Sequence, residues 1–181
     1  METLTGDKSK KKTEPELVSI IIPIDNNEWC IIPTYNKVTQ MADRNHLQVE
    51  LIFVNDGSVD GSQAILDNLA DKDDRVKIIH FGIQCGLTAS LKAGIDYSSG
   101  RFLVTMEGEL QNDPDDIPKM LDTLKKGFDV CSGWRKKPQK SVLQRDLPNR
   151  VTNRLISLLS GVKLHDHGSG LKVYRKKMIH N

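Results

Sequence analysis

Acidic residues recur where the apolar runs of this chain end, and their spacing suggests chemistry. Glu107-x-Glu109 follows Phe102-Leu-Val-Thr-Met106. If Glu107 closes a strand and Glu109 opens the turn, both carboxylates face one rim. A hard cation such as Mg²⁺ or Mn²⁺ takes few protein oxygens, with water and substrate phosphate supplying the rest. Such an ion neutralises a diphosphate and stabilises it as a leaving group; Gln111 adds a neutral oxygen. Two acids after a strand are also ordinary solvated turn residues, and spacing alone favours that plainer reading. Asn55-Asp56-Gly57-Ser58 has the same ambiguity. Asp56 can accept from a base N–H or a ribose hydroxyl, or it can serve a turn in which Gly57 supplies a permissive backbone.

Two further stretches carry charge or ligand chemistry. Residues 135–163 hold Arg135, Lys136, Lys137, Lys140, Arg145, Arg150, Arg154 and Lys163 against the single acid Asp146. The stretch offers contacts to phosphate or to a membrane surface of anionic head groups, with a solvated face as the equal alternative. It lacks interleaved aromatics, Trp134 standing at its edge, which argues against nucleic-acid stacking. His165-Asp166-His167 puts two imidazoles on one side of an extended segment. Without further ligands, a polar loop is the simpler account.

The elements that must position these groups alternate in kind. Val18–Pro23, Val49–Val54, Val76–His80, Phe102–Met106 and Phe128–Ser132 are short apolar runs, as expected of strands buried on both faces. Between them lie helix-period stretches over residues 31–44, with Pro33 expected in the first turn, and over 61–71, 87–98 and 115–126. A further helix is predicted over 147–160. Strands separated by helices imply right-handed crossovers and a mainly parallel sheet flanked by helices. Ligands of such sheets bind beyond the carboxyl ends of the strands. Residues 23–27, 55–58, 107–111 and 132–135 should therefore share one rim.

The 181 residues suffice for one domain, and 38% hydrophobic with 28% charged residues is ordinary for a folded protein. Residues 1–16, with Lys8 and Lys10 to Lys12, read as a disordered basic tail, leaving 17–181 as the domain. No apolar run approaches the ~18 residues of a membrane span. Cys30, Cys85 and Cys131 are far apart beside apolar neighbours, which predicts small buried side chains and fits a reducing, cytoplasmic setting.

Five blocks in order carry a resemblance. Val18-Ser-Ile-Ile-Ile-Pro23, Phe53-Val-Asn-Asp-Gly-Ser-Val-Asp-Gly-Ser62, Val104-Thr-Met-Glu-Gly-Glu-Leu-Gln-Asn-Asp-Pro114, Ser132-Gly-Trp-Arg135 and Gly170-Leu-Lys-Val-Tyr-Arg-Lys176 resemble family-2 glycosyltransferases. The branch most similar in appearance moves a sugar onto a polyprenyl (dolichyl or bactoprenyl) phosphate. The resemblance implies a Rossmann-like GT-A fold, a nucleotide-diphosphate sugar donor, a polyprenyl-phosphate or other glycan acceptor, and Mg²⁺ or Mn²⁺. It also implies work at the cytoplasmic face of a membrane. By position, Pro23, Asp25, Asn27, Val54 and Asp56 match nucleotide contacts. Glu107 and Glu109 match the metal-site aspartates, Gly108 lies between them, and Gln111 matches a third ligand. Arg135 matches a diphosphate-binding arginine. Asp166 matches an acid near the acceptor, and Lys172 a basic residue of that last block.

Departures from the pattern sharpen the expectations. Asp-x-Asp is Glu-x-Glu here, so each carboxylate reaches about one bond farther, and an ion fits if the backbone retreats at Gly108. The double aspartate after the second strand is Asn55-Asp56. The first block lacks the usual aromatic. The chain stops at Asn181, where the family continues, so the domain is expected to be incomplete at its C-terminus. Two functions follow: an inverting transferase, or a catalytically weakened module that holds a nucleotide sugar without turning it over. A nucleic-acid surface on an unrelated α/β domain is the minor third.

Overall fold

The computed structural model describes residues 16–109, 112–133 and 170–179. The apolar runs form β1 (Val18–Ile24), β2 (Val49–Asn55), β3 (Val76–His80), β4 (Phe102–Thr105) and β5 (Val130–Ser132), joined by a late strand β6 (Lys172–Arg175). They make one sheet in the order β3-β2-β1-β4-β6-β5. β3, β2, β1 and β4 run parallel. β6 is antiparallel to both β4 and β5, so β5 shares the direction of β4, and β6 begins where those strands end. The mainly parallel α/β sheet expected from the sequence is present.

Helices α1 (Glu28–Arg44), α2 (Ser62–Ala70), α3 (Leu87–Tyr97) and α4 (Ile117–Lys125) cover the sheet. Alternate residues of β1 serve opposite faces. Ile20, Ile22 and Ile24 join a core with Ile31 and Met41 of α1, Leu66 of α2 and Leu121 of α4. Ile21 packs with Ile52 and Val54 against Leu91 and Ile95 of α3. Each of these buried side chains contributes roughly 1.5–3 kcal/mol of transfer free energy, which fixes the central strands and hence their carboxyl ends. Among the described residues, no helix is long and apolar enough to cross a membrane.

Several expectations need correction. α1 starts at Glu28, so Pro33 lies in its second turn rather than its first; it leaves the Trp29 carbonyl without its helical donor. Cys30 is buried and Cys131 half-buried, but Cys85 is exposed. Its neighbour Ile83 is itself 73% exposed, so apolar neighbours did not mean a core. Glu16, read as tail, pairs with Arg101. The predicted helix at 147–160 lies outside the described residues.

Candidate functional site

The sheet reverses its winding between β1 and β4, and this is where an open α/β sheet offers a crevice. Pro23 helps to open it. Met106 N–H donates to the Ile21 carbonyl, and Asp56 N–H to that of Ile24. Odd-numbered residues of β1 thus face β4, and even-numbered ones face β2. Pairing with β4 ends at Ile21 opposite Thr105, so Pro23 withholds a donor where the ladder has already ended.

One wall of the crevice is a set of interlocked turns. Asn26 donates its backbone N–H to Ser58 Oγ at 3.0 Å and accepts the Val59 N–H at 2.9 Å. Asn27 Nδ2 donates to the Asp25 carbonyl at 2.9 Å. Asp60 accepts the first N–H of α1, from Glu28, at 3.0 Å and that of Ser62 at 3.0 Å, while Glu28 accepts from Gly61 at 2.6 Å. Asp60 thus caps the starts of both helices, and Glu28 at the head of α1 adds a bond to the residue before α2. Although desolvation opposes it, donors from Ser62 and Glu28 hold the Asp60 carboxyl below its ordinary value.

Asp56 is turned inward. It is 3% exposed, and its two oxygens accept the N–H groups of Cys85 at 2.7 Å and Gly86 at 2.8 Å. The carboxylate expected at the nucleotide thus holds the loop entering α3. Gly57 makes the fit possible: its φ is +65°, and a Cβ there would lie 2.4 Å from the Ile83 carbonyl carbon and 2.5 Å from the Gln84 nitrogen. The loop in turn reaches across the rim, where Gln84 Nε2 donates to Asp25 Oδ2 at 2.6 Å. Val54 is fully buried in β2. Sequence reasoning gave Gln84 no role, although it sits at the mouth; only the contact of the loop after β3 with the loop after β1, across the end of β2, reveals it.

The other wall is the end of β4. Glu107 is half-buried and Glu109 exposed. The Glu107 carboxyl lies against Gly170, just before β6; a Cβ on that glycine would fall 2.6 Å from it. Glu109 lies toward α1, where its charge is felt at Cys30. Burial first, then Glu109 and Asp60, push that thiol up to about 11. Between them Gly108 is drawn inward: its carbonyl accepts from Thr34 Oγ1 of α1 at 3.0 Å, and a Cβ would lie 2.7 Å from Ile24 Cδ1 and 3.1 Å from the Pro23 oxygen. The packing there leaves no room for a side chain at position 108. Carboxylates are the hard oxygen donors that Mg²⁺ or Mn²⁺ takes together with water and phosphate oxygens. Among the described residues, no three acidic, histidine or cysteine side chains gather as a metal site of their own.

Lys172 opens β6 beside Thr105 and Ser132 on neighbouring strands, at the same rim. Gln111, Arg135 and Asp166 lie outside the described residues. At the opposite pole, Arg101, Arg175, Lys176 and Lys177 line a basin of about 460 Å³. Three of these cations hold elements together: Arg101 pairs with Glu16, Arg175 donates to the carbonyls of Leu124 and Phe128, and Lys176 to that of Ser98.

Known proteins share this fold. A mycobacterial glucosyl-3-phosphoglycerate synthase, from Mycobacterium tuberculosis and in complex with UDP, superposes with a TM-score of 0.69 at 15% identity, covering 90% of this chain and 58% of that one. A mannosyltransferase of Pyrobaculum calidifontis, in complex with GDP-Man and Mn²⁺, does so at 0.65 with 14% identity, covering 92% and 46%. Both establish the GT-A fold. In sequence, the chain is 37% identical over 164 residues to a dodecaprenyl-phosphate galacturonate synthase of Rhizobium johnstonii, covering 90% of this chain and 48% of that protein. It is 30% identical over 168 residues to an undecaprenyl-phosphate 4-deoxy-4-formamido-L-arabinose transferase of Aeromonas hydrophila, covering 92% and 51%. The chain thus spans about half the length of these curated relatives. Residues 19–181 match the pattern of glycosyl transferase family 2, and with the crevice at the β1–β4 switch point in place, the chain belongs to that family.

Proposed function

We propose that the chain is the donor-binding part of an enzyme that moves a sugar from a nucleotide diphosphate to a polyprenyl phosphate with inversion. The observation that carries this reading is the crevice itself, with polar β1 and β3 loops on one side and Glu107 and Glu109 on the other. The likeness to two polyprenyl-phosphate sugar transferases supports the acceptor class. In this reading Asp25, Asn27 and Gln84 face the base and ribose, while Pro23, Val54, Asp56 and Gly108 shape the floor. Glu107 and Glu109, with Gln111, would hold Mg²⁺ or Mn²⁺, which supplies charge neutralisation for the departing diphosphate.

The acceptor phosphate is already ionised at neutral pH, so it needs positioning more than a general base. Its oxygen attacks the anomeric carbon opposite the leaving diphosphate, the C–O bond to that diphosphate breaks, and the configuration inverts. Lys172 at the rim is suited to hold the acceptor phosphate, Arg135 is assigned to the diphosphate, and Asp166 orients the acceptor side. Such an enzyme would work at the cytoplasmic face of a membrane, the basic stretch of residues 135–163 contributing attraction to its surface.

Transfer of radiolabelled sugar from UDP- and GDP-linked donors to undecaprenyl phosphate tests the reading in the full-length protein. Transfer should stop in EDTA and return with Mn²⁺; turnover indifferent to chelation contradicts the metal assignment. A nucleotide-sugar binder without turnover is the second reading, favoured by Glu-x-Glu in place of Asp-x-Asp. Tight donor binding with neither transfer nor hydrolysis would establish it.

A further inference from the structure

Asn55 and His80 stand opposite one another at the ends of β2 and β3. Asn55 is 1% exposed, and its amide orientation is set by its surroundings. Its Oδ1 accepts the Ser58 N–H at 3.1 Å, which closes the turn bearing Asp56 and Gly57. Its Nδ2 lies 3.0 Å from His80 Nδ1. An amino group can only donate, so Nδ1 must be the unprotonated acceptor and the ring proton must sit on Nε2. Nε2 lies 3.0 Å from Asp67 Oδ1 of α2. Asp67 is the charged group that faces the ring from α2, and neutral Asn55 faces it from β2. Lys77 of β3 is three residues away and on the opposite face of its strand.

We propose that His80, as the neutral Nε2–H tautomer, is a positioning residue for the nucleotide and gives nucleotide binding a dependence on pH. This rests on the donor-binding reading above. A proton added to Nδ1 would set N–H against the Asn55 amino group. Turning the amide over relieves that conflict but presents the amino group to the Ser58 N–H. Either way the turn loosens, and with it the Asp56 and Gly57 contacts that hold the Gln84 loop. Asparagine rather than aspartate at position 55 is what gives the relay its sign. A carboxylate there would accept from Ser58 and from a protonated Nδ1 alike.

The test is a titration of the chain with UDP and with GDP, each with Mn²⁺, from about pH 8 to about pH 5.5, the range in which histidines commonly change charge. Affinity for the nucleotide that binds should fall by roughly threefold to tenfold toward acid. His80→Asn keeps an acceptor for Asn55 but cannot titrate, so the profile should flatten. Asn55→Asp should reverse the slope, with affinity rising toward acid. Nitrogen-15 spectra of the imidazole in the free chain should show the Nε2–H tautomer. A ring protonated on Nδ1 at neutral pH overturns the relay whatever binds, as does a His80→Asn profile that follows the parent. If the tautomer is as expected but neither nucleotide binds at any pH, the donor-binding reading fails and takes the positioning role with it.

Discussion

Gly57→Ala is the sharpest test of how the rim is held together. The new methyl would stand 2.4 and 2.5 Å from backbone atoms of Ile83 and Gln84, which cannot step aside as a side-chain tip can. Holding alanine at a φ of +65° costs about 1–2 kcal/mol by itself. Displacing the loop also pulls the Cys85 and Gly86 N–H groups from Asp56, and charge-assisted bonds of this kind contribute about 1.5–3 kcal/mol each. Allowing for partial relaxation, the total should be about 3–4 kcal/mol, a large share of the ~5–15 kcal/mol that holds most domains folded. Asp56→Asn leaves one of the two loop N–H groups facing an amino group and should cost about 2–3 kcal/mol. Both substitutions remove the same contact, so the double variant should fall short of their sum by about 2 kcal/mol. Urea denaturation of parent, single and double variants gives the cycle. Gly82→Ala serves as control, because nothing lies within 4 Å of its added Cβ, and it should change stability by less than ~0.5 kcal/mol. Additivity of Gly57→Ala and Asp56→Asn within ~0.5 kcal/mol would refute the claim that turn and loop are one unit.

Three further outcomes follow from the same geometry. The Arg75 guanidinium, joined by the Tyr35 hydroxyl, holds the Asp73 carboxyl well below the usual carboxylate range. A lowered folded value means that its stabilisation is present at neutral pH, begins to fall as pH drops below the ordinary carboxylate value, and is gone only below the lowered folded value. With Arg75 36% exposed, this amounts to about 1–2 kcal/mol, and Asp73→Asn should shrink the loss of unfolding free energy, read from urea denaturation, between about pH 7 and about pH 2 by about that amount. Cys85 should react rapidly with a thiol reagent and Cys131 more slowly, while Cys30, buried with its thiol pushed up to about 11, reacts only on unfolding; peptide mapping of the labelled chain checks the order. Gly108→Ala should weaken Mn²⁺-dependent nucleotide binding by about tenfold or more while costing ~1–3 kcal/mol of stability from overpacking. Ile24→Val, which removes the clashing Cδ1, should restore part of that binding by calorimetry.

What the sequence made legible followed period and punctuation. Val49–Val54 reads as a doubly buried strand because apolar residues fill all of it but Glu50; the structure extends it to Asn55 and buries all seven residues, the polar two included. The Asn55-Asp56-Gly57-Ser58 stop is visible for the same reason. The late strand Lys172–Arg175 has no apolar run of its own; only Val173 is fully buried, and its antiparallel seat between β4 and β5 is a tertiary fact. The start of α1 lies earlier than its apolar period: Asn27 stands at the cap position, but its side chain makes no cap bond and turns to the Asp25 carbonyl instead. Its cap comes from Asp60, thirty-two residues away. Asp56 was correctly located at the rim, but its direction depends on the N–H groups of a loop that no local pattern links to it. Gln84 was passed over for the same reason.

Glu-x-Glu is the feature of the sequence most adverse to a metal-assisted transferase, and the close packing at Gly108 bears on it. A carboxylate lengthened by one methylene can reach the same ion only if its Cα starts farther back. Gly108 lies so close to β1 that even a methyl would overlap Ile24, and the Thr34 hydroxyl anchors its carbonyl in that position. The peptide between the two glutamates is therefore held inward by contacts that a larger residue would abolish. The Glu107 carboxyl lies against Gly170 before β6, and the charge of Glu109 is felt at Cys30 of α1; in the proposed reading the two take the ion between them. A shortened Asp-x-Asp on this recessed backbone would fall short of that ion. The combined substitution Glu107→Asp and Glu109→Asp, which restores the common family pattern, should therefore weaken Mn²⁺ affinity in this chain. Tighter Mn²⁺ binding in that variant would show that Gly108 is recessed for packing alone.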